Sequence, residues 1–378
     1  MKMKKLHWIC LSVLMMVCAT VSAGTADSSK VKLAYDIKYD MNFDNREFSK
    51  SKFSPSMTIF GARFTPTVGF AVEQPGDLTH KVMIGADVMA DFGVSQDSTD
   101  LAGEITFWYQ LDKKIGKTSL GLQAGIFPRS SMEADYSEAF FSDSLRFYDN
   151  NLEGILLKLR RPGAYFELGC DWMGKYSKYS RERFMVFSGG AGKILPFLSA
   201  GYSAYMYHYA NSGQVRGVVD NFLVYPYLQF DFAQMTGLQK LSLQAGWIET
   251  MQNDRVNIGH YMFSGGANVE FDIKHWNFGI RNVAYYGNTL MPLYNIKDKR
   301  GNKYGSNLYP GDPFYRVDDK DSFDVGLYDR VEAYYDLNLD DYLKLRVTAA
   351  FHIAGFKYAG CQQMVRLMFD LNELLDRK

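Results

Sequence analysis

VKLAYDIKYDMNF, residues 31–43, decides the fold class, because its side chains alternate between two kinds. Every odd-numbered position from Val31 to Phe43 is apolar, whereas four of the six even-numbered positions between them are charged. A period of two places these sets on opposite faces of an extended strand. The segment has 13 residues, and most globular strands have about 3–10. The stretch therefore predicts a long strand with one apolar and one charged face.

The same alternation recurs along the rest of the chain. It is clear at residues 60–72, 82–92, 166–172, 222–232, 343–353 and 365–371. It is incomplete at residues 152–161, and residues 184–193 and 197–209 mix small and aromatic side chains on both faces. We predict strands there as well, because the connectors on either side require them. The whole chain then holds about 16 strands.

The connectors alternate in length as the strands do in polarity. Short joins fall at residues 73–77, 112–117, 161–163, 193–196, 234–239, 274–275 and 337–342. The joins between them are mostly longer, at residues 44–56, 93–100, 128–151, 174–182, 210–220, 251–259, 288–324 and 354–360. This predicts an all-β fold, a transmembrane antiparallel up-and-down β-barrel with short periplasmic turns and long extracellular loops.

A soluble β-sandwich is the alternative fold, because its strands also alternate between apolar and polar side chains. Its strands are shorter, and its apolar faces point into a core. A soluble barrel would instead have to bury the many charges on the opposite faces, each at a cost unless it is paired. Aromatic residues at strand ends suit the two interfacial belts of a membrane barrel. They are Tyr109, Trp172, Trp247, Trp276 and Tyr335.

Composition excludes other classes. The 378 residues carry 42 Lys and Arg against 42 Asp and Glu, so nothing favours nucleic-acid binding, which usually needs a basic excess. With 47% apolar residues the chain is not disordered, and it lacks the apolar runs of a helical membrane protein beyond its N-terminus.

Residues 1–23 read as a cleaved secretory signal. A basic start is followed by an apolar core and by the small-residue site Val21-Ser22-Ala23. Residues 24–378 would then form a single barrel domain. Two cysteines remain, Cys170 and Cys361, and we predict two separate thiols because Cys170 falls on an apolar face.

Over its mature length, the pattern of strands, turns and loops resembles the porin-type β-barrels of the Gram-negative outer membrane. It is similar, more loosely, to the uncharacterised outer-membrane barrels of Bacteroidota. The resemblance implies contact with outer-membrane lipid and passage of a small solute. Such barrels usually end in an aromatic residue, whereas this chain ends Leu374 to Lys378, after a last strand aromatic at Phe369.

The predicted register places charged side chains inside the barrel. One wall would be mainly basic, with Arg63, Arg281, Arg330, Lys344, Arg346 and Arg366. The other would be mainly acidic, with Asp87, Asp91, Glu104, Glu167, Asp171, Asp231 and Glu270. Such walls set a field across a pore and thereby its selectivity. The alternative is that these charges pair in ladders that only stabilise the wall.

The third long loop, residues 128–151, is the predicted constriction. It is acidic, and its aromatic residues are too numerous for a loop exposed to water. Folding inward against the basic wall would satisfy both features, and the third loop of porins does fold into the pore. The constriction residues would be Glu133, Asp135, Glu138 and Asp143. The alternative is a loop packed on its neighbours at the rim.

The seventh long loop, residues 288–324, is the other outlier in length. Its aromatic residues lie among Gly, Asn and Asp, a composition that suits sugar stacking and hydroxyl contacts. The candidate glycan contacts are Tyr304, Tyr309 and Tyr315. The run Asp318, Asp319, Asp321 and Asp324 lacks EF-hand spacing, so we predict a solvated acidic tip and no metal site.

These observations predict a porin-like channel for passive diffusion of small hydrophilic solutes, without a cofactor, as a monomer or a trimer. One alternative is a closed barrel that acts as an adhesin, a scaffold or a glycan-binding surface protein. The other is an outer-membrane hydrolase, although the chain has neither a G-x-S-x-G nor an H-E-x-x-H motif and offers no catalytic residue.

Overall fold

The computed structural model describes residues 29–48, 51–93, 101–298, 300–317 and 325–372. The predicted signal (1–23), the acidic run at 318–324 and the last residues of the chain lie outside the described residues. Sixteen strands account for most of the fold. They are β1 (Lys30–Glu47), β2 (Met57–Gln74), β3 (Leu78–Asp91), β4 (Leu101–Ile115), β5 (Thr118–Pro128), β6 (Asn151–Arg161), β7 (Ala164–Gly174), β8 (Arg183–Leu195), β9 (Leu198–Tyr209), β10 (Val219–Asp231), β11 (Lys240–Asp254), β12 (Met262–His275), β13 (Phe278–Gly287), β14 (Gly326–Asp340), β15 (Leu343–Ala354) and β16 (Lys357–Asp370).

The strands form one closed barrel. Each pairs antiparallel with its neighbours in the chain, and β1 pairs with β16 from Lys38 opposite Asp370 to Glu47 opposite Cys361. Closure leaves no sheet edge along the wall, which is what a sheet needs in order to span a bilayer. The predicted antiparallel barrel of 16 strands is confirmed, including β6, β8 and β9, where the alternation is weakest.

The two faces of the wall differ as the alternation predicts. Large apolar side chains on the outside are exposed, for example Leu33 and Ile105, each 64% exposed. Inward charged residues such as Arg63 and Asp87 are buried. Trp276 (76% exposed) lies outside at the rim of short turns. The outer surface is therefore the apolar one.

Cys170 and Cys361 are both free thiols.

Short turns join the strands at one rim (the turn rim) and loops join them at the other (the loop rim). The loops are L1 (48–56), L2 (92–100), L3 (129–150), L4 (175–182), L5 (210–218), L6 (255–261), L7 (288–325) and L8 (355–356). L8 departs from the expected long join at 354–360, because Gly355 and Phe356 both have positive φ and close a two-residue turn. At the turn rim the β10–β11 join is longer than its neighbours, since it contains helix α2 (Ala233–Thr236). Helix α1 (Asp143–Tyr148) belongs to L3.

Inward aromatic rings cover inward glycines of the neighbouring strands. A Cβ placed on Gly279 would lie 2.2 Å from Cζ of Tyr334, and one on Gly201 would lie 2.5 Å from Cζ of Tyr227. The rings lie where a side chain would otherwise stand, so glycine is required there by close approach. None of the helices in the described part of the chain is long and apolar enough to cross a bilayer.

Candidate functional site in the barrel lumen

L3 leaves the wall between β5 and β6 at a single buried guanidinium. Arg129 donates from Nη2 to Asp171 Oδ2 at 3.0 Å and to the carbonyl oxygen of Asn151 at 3.1 Å. Its Nε donates to the carbonyl oxygen of Asp149 at 3.0 Å. Both ends of the loop are thereby tied to β7. Sequence reasoning missed Arg129; its position directly after the β5 terminus was the available signal.

The first turn of L3 runs down the inside of the wall. Glu167 of β7, fully buried, accepts hydrogen bonds from the backbone N–H of Glu133 (2.6 Å) and of Ala134 (3.1 Å). Glu133 in turn pairs through Oε1 with Nε of Arg160 at 2.6 Å. Glu167 and Asp171, expected on a free acidic wall, therefore hold the loop. Asp135, the next predicted constriction residue, is exposed.

L3 then crosses the lumen to the opposite wall. Glu138 Oε1 lies 2.6 Å from Nη1 of Arg281 on β13, and Asp143 Oδ2 lies 3.0 Å from Nη1 of Arg330 on β14. β13 and β14 are eight strands from β5 and β6 around the ring, and hence diametrically opposite. Burial alone would raise the pKa of Glu138, but Arg281, Arg330 and Arg146 outweigh it and hold that pKa below its usual range.

An aromatic core attaches the middle of L3 to the inner wall. Tyr136 and Phe140 are buried, with ring centroids 5.9 Å from Phe187 on β8 and 5.5 Å from Tyr205 on β9, respectively. The inside of β8–β10 is thus largely aromatic, which corrects the expectation of a charge-lined lumen. Because the loop fills the barrel here, the inward rings pack as they would in a soluble core.

L7 docks on L3 by main-chain contacts. The N–H of Asp312 donates to the carbonyl oxygen of Glu138 at 2.8 Å, and that of Ser142 donates to Pro310 at 2.9 Å. Gly311 lies between them, where a Cβ would come within 2.0 Å of the Ala139 carbonyl oxygen. Only glycine allows this approach. L3 and L7 therefore form one unit inside the barrel.

Phe314 of L7 is held in an aromatic box. Its ring stacks on Tyr328 (5.2 Å between centroids, 11° between planes) and on His352 (4.8 Å, 28°), and Phe48 of L1 meets it at 5.2 Å. The ring nitrogens of His352 lie 3.1 Å from Tyr328 Oη and 2.8 Å from Gln362 Oε1. These contacts occupy both nitrogens, so His352 serves to hold the loop.

The three tyrosines expected to contact a glycan are buried instead. Tyr304 donates to Asp254 Oδ2 at 2.7 Å, and Tyr309 donates to Gln252 Oε1 at 2.5 Å. Tyr315 is 0% exposed. No ring face is open to a ligand, which corrects that assignment. Composition could not distinguish an aromatic loop that packs inward from one that presents rings to solvent.

Three further residues of the predicted basic wall pair with carboxylates on the adjacent strand. Arg63 contacts Asp87, Arg366 contacts Asp40, and Arg346 contacts Asp336. Glu270 lies 3.3 Å from Arg281, and Glu104 accepts from Asn151 at 2.7 Å. This arrangement favours ion-pair ladders over two opposed walls. Lys344 lines an internal cavity, whereas Asp91 and Asp231 end their strands at the two rims, both exposed.

Cavities lie beside the loops along the described lumen. One of about 260 Å³ lies beside β1, β2 and β16, with Lys38 and Lys344 in its wall. A second of about 410 Å³ lies at the turn rim near Glu133 and Lys158. A third of about 450 Å³ lies between L1, L3 and L7. Within the described residues, no group of three or more His, Cys, Asp and Glu side chains could hold a metal ion.

Comparison with known proteins finds likeness only at the level of structure. No protein-family model and no curated protein sequence matches the chain. Among solved structures, OccK5 (OpdH) of Pseudomonas aeruginosa matches with a TM-score of 0.52 at 12% identity, over 90% of this chain and 98% of that one. OprB of Pseudomonas putida gives 0.49 at 10% identity, over 89% and 94%. The outer membrane protein OprD of Pseudomonas aeruginosa gives 0.48 at 13% identity, over 89% and 92%. The first of these, with the observed closure of 16 antiparallel strands, identifies the fold as that of a porin-like outer-membrane β-barrel.

Proposed function

We propose that the protein is a bacterial outer-membrane channel for the passive diffusion of small hydrophilic solutes. The observation that carries the proposal is a closed barrel, apolar outside, whose third loop crosses the lumen from one wall to the opposite one. Such a loop would narrow the path through the barrel without blocking it, and the cavities beside the loop leave room for solute. Charges along the remaining path would then set selectivity.

The protein would be exported and would lie in the outer membrane. Residues 1–23 would direct export and be removed, and residues 24–378 would then insert in the outer membrane with the apolar outer face against lipid. The loop rim would face outward and the turn rim the periplasm. A trimer and a monomer are both compatible with this orientation.

L3 would be the constriction element, with distinct roles for its acidic residues. Glu138 and Asp143 would fix the loop through Arg281 and Arg330. Asp135, which is exposed, would face passing solute. Glu133 borders the cavity at the turn rim. On the other side of the loop, Lys38 and Lys344 border the smaller cavity.

Single-channel recording in planar bilayers tests the proposal. Refolded protein should give discrete current steps, and Asp135→Lys should shift ion selectivity toward anions. Asp231→Lys is the matched control, because this exposed carboxylate belongs to β10 and not to L3, and accepts from the Ala233 N–H at 3.0 Å in the turn that follows. Its selectivity should match the parent. Folded protein that yields no steps would contradict the channel.

A closed barrel with a binding surface is the second candidate. It is favoured by the apolar core that joins L1, L3 and L7 inside the wall. Such packing would keep the path shut while presenting the loop rim to a ligand. The same recording separates the two candidates, because a closed barrel gives no steps even though it is folded.

A further inference from the structure

The cavity between L1, L3 and L7 lies at the loop rim, where a solute would first meet the protein. Its volume is about 450 Å³, within the ~300–1,000 Å³ typical of small-molecule sites. Strand ends on opposite sides of the barrel contribute Arg46 from β1 and Arg183 from β8. The loops supply most of the rest of the lining, including Phe53 and Tyr294.

Two aromatic rings in this lining are only partly buried. Phe53 of L1 and Tyr294 of L7 both contact the guanidinium of Arg316, whose Cζ lies 5.5 Å and 4.6 Å from their ring centroids. The cation–π contacts fix both rings in place on the cavity wall. They contrast with Tyr304, Tyr309 and Tyr315, which the fold buries. A ring held on a cavity wall presents the negative face of its π-system, against which the C–H face of a sugar can stack.

The charges that line the cavity cancel and are already engaged. The described lining holds two guanidiniums and two carboxylates: Arg46, Arg183, Asp143 and Asp312. Arg46 pairs with Asp44 at 2.7 Å, and Asp143 pairs with Arg330 at 3.0 Å. Asp312 accepts from the N–H of Phe314 at 3.0 Å. Arg183 donates to the neutral oxygens of Asn307 (3.0 Å) and Met173 (3.1 Å). The charged side chains of the lining thus carry no net formal charge and each already has a hydrogen-bond partner, which favours a neutral solute over an ionic one.

Neutral hydrogen-bonding groups complete the lining. Asn307 Oδ1 accepts a hydrogen bond from Arg183 Nη1 at 3.0 Å, and Ser144 Oγ accepts one from Arg46 Nη1 at 3.0 Å. Ser54, Ser142 and Ser306 add hydroxyls. Each hydroxyl both donates and accepts, as a sugar hydroxyl does.

We propose that this cavity binds a neutral saccharide of one or two rings, stacked on Phe53 and Tyr294. The inference deepens the proposed function by naming the class of solute that is collected at the channel mouth. Saccharide binding can be tested separately from channel activity, because binding is measured on folded protein without recording any current.

Titration calorimetry on the whole protein, folded in a zwitterionic detergent without a sugar headgroup, tests the site. Glucose and maltose are the probes, and succinate is the anionic comparison. We expect saturable binding of maltose or glucose and none of succinate. Tyr294→Ala and Phe53→Ala should each weaken binding about 3- to 10-fold, whereas Tyr294→Phe should retain it. Tyr179→Ala removes a 63% exposed ring of L4 outside the cavity and is the matched control, with unchanged affinity.

Three other outcomes would overturn the inference. Tighter binding of succinate than of either sugar would show an anion site. Binding of neither sugar by protein that conducts in bilayers would remove the site and leave the channel. Sugar binding that survives the double variant Phe53→Ala, Tyr294→Ala in a folded barrel would place the site elsewhere. Binding without conductance would keep the site and overturn the channel alone.

Discussion

Replacement of Arg330 by methionine should release L3 from the far wall while the barrel stays folded. Arg330 is 3% exposed and lies 2.6 Å from Glu332, 3.0 Å from Asp143 and 4.0 Å from Glu138. Removal of one partner from a buried ion pair costs about 3–5 kcal/mol. In the variant, Glu138 would still pair with Arg281, and Asp143 could be solvated by water. We therefore expect a cost at the lower end of that range, ~3 kcal/mol, which is about 150-fold in the equilibrium between docked and undocked L3.

Thiol labelling measures that equilibrium. Ser137→Cys places a near-isosteric thiol in L3 at a position 4% exposed, in a chain without residues 1–23 in which Cys170 and Cys361 are serine. If undocking limits access, its maleimide labelling rate should rise about 150-fold with Arg330→Met. Arg346→Met is the control, because Arg346 pairs with Asp336 on the wall and not with L3. A rate within threefold of the parent would refute the docking geometry.

Three further predictions concern glycine packing, pH and L7. Gly279→Ala should lower the free energy of unfolding by about 1–3 kcal/mol, because the added Cβ would meet the ring of Tyr334. Gly192→Ala is the control and should leave that free energy unchanged, since the atom nearest to its Cβ lies 3.9 Å away. Urea titration in micelles compares the two variants, and equal midpoints would contradict the close approach. Burial raises the pKa of Asp312 to about 6. An acid whose pKa is raised in the folded state destabilises that state above the raised pKa. L7 should therefore gain protection from hydrogen exchange as the pH falls from 7 to 5. Asp312→Asn should abolish this pH dependence, and a pH dependence that persists in the variant would belong to another group. Phe314→Ala should speed exchange of residues 305–316 by deleting a fully enclosed ring, worth about 3–5 kcal/mol, and unchanged exchange would mean that other contacts hold the loop.

The barrel itself could be predicted from the sequence because its wall obeys one rule. Alternation fixes which side chains face lipid, and connector lengths fix the two rims, so β1 to β16 follow from local pattern. L8 was the exception, since two residues with positive φ allow a turn that length counting does not show. Register then followed from the pleat, and it placed Arg281 and Arg330 inside.

The interior could be predicted only in part, because it depends on contacts between distant segments. The surplus of acid and aromatic residues in L3 predicted a loop against a basic wall, and Glu138 does lie beside Arg281. Nothing local showed that Tyr205 and Phe187 would face inward to receive that loop. Gly311 likewise reads as an ordinary loop glycine until Ala139 is seen against it.

The path of L3 also has a mechanical consequence for the barrel. A closed sheet of 16 strands resists stretching along its hydrogen bonds but flattens easily, because an oval and a circle satisfy the same ladder. L3 joins two points a full diameter apart. Tyr207 of β9 and Asn221 of β10 also hold L7, by donating to the main-chain carbonyl oxygens of Asn307 at 2.9 Å and Leu308 at 3.1 Å. Contacts that cross the interior in this way oppose such flattening. Loss of L3 would therefore change the shape and stiffness of the whole cylinder, as well as the width of its opening.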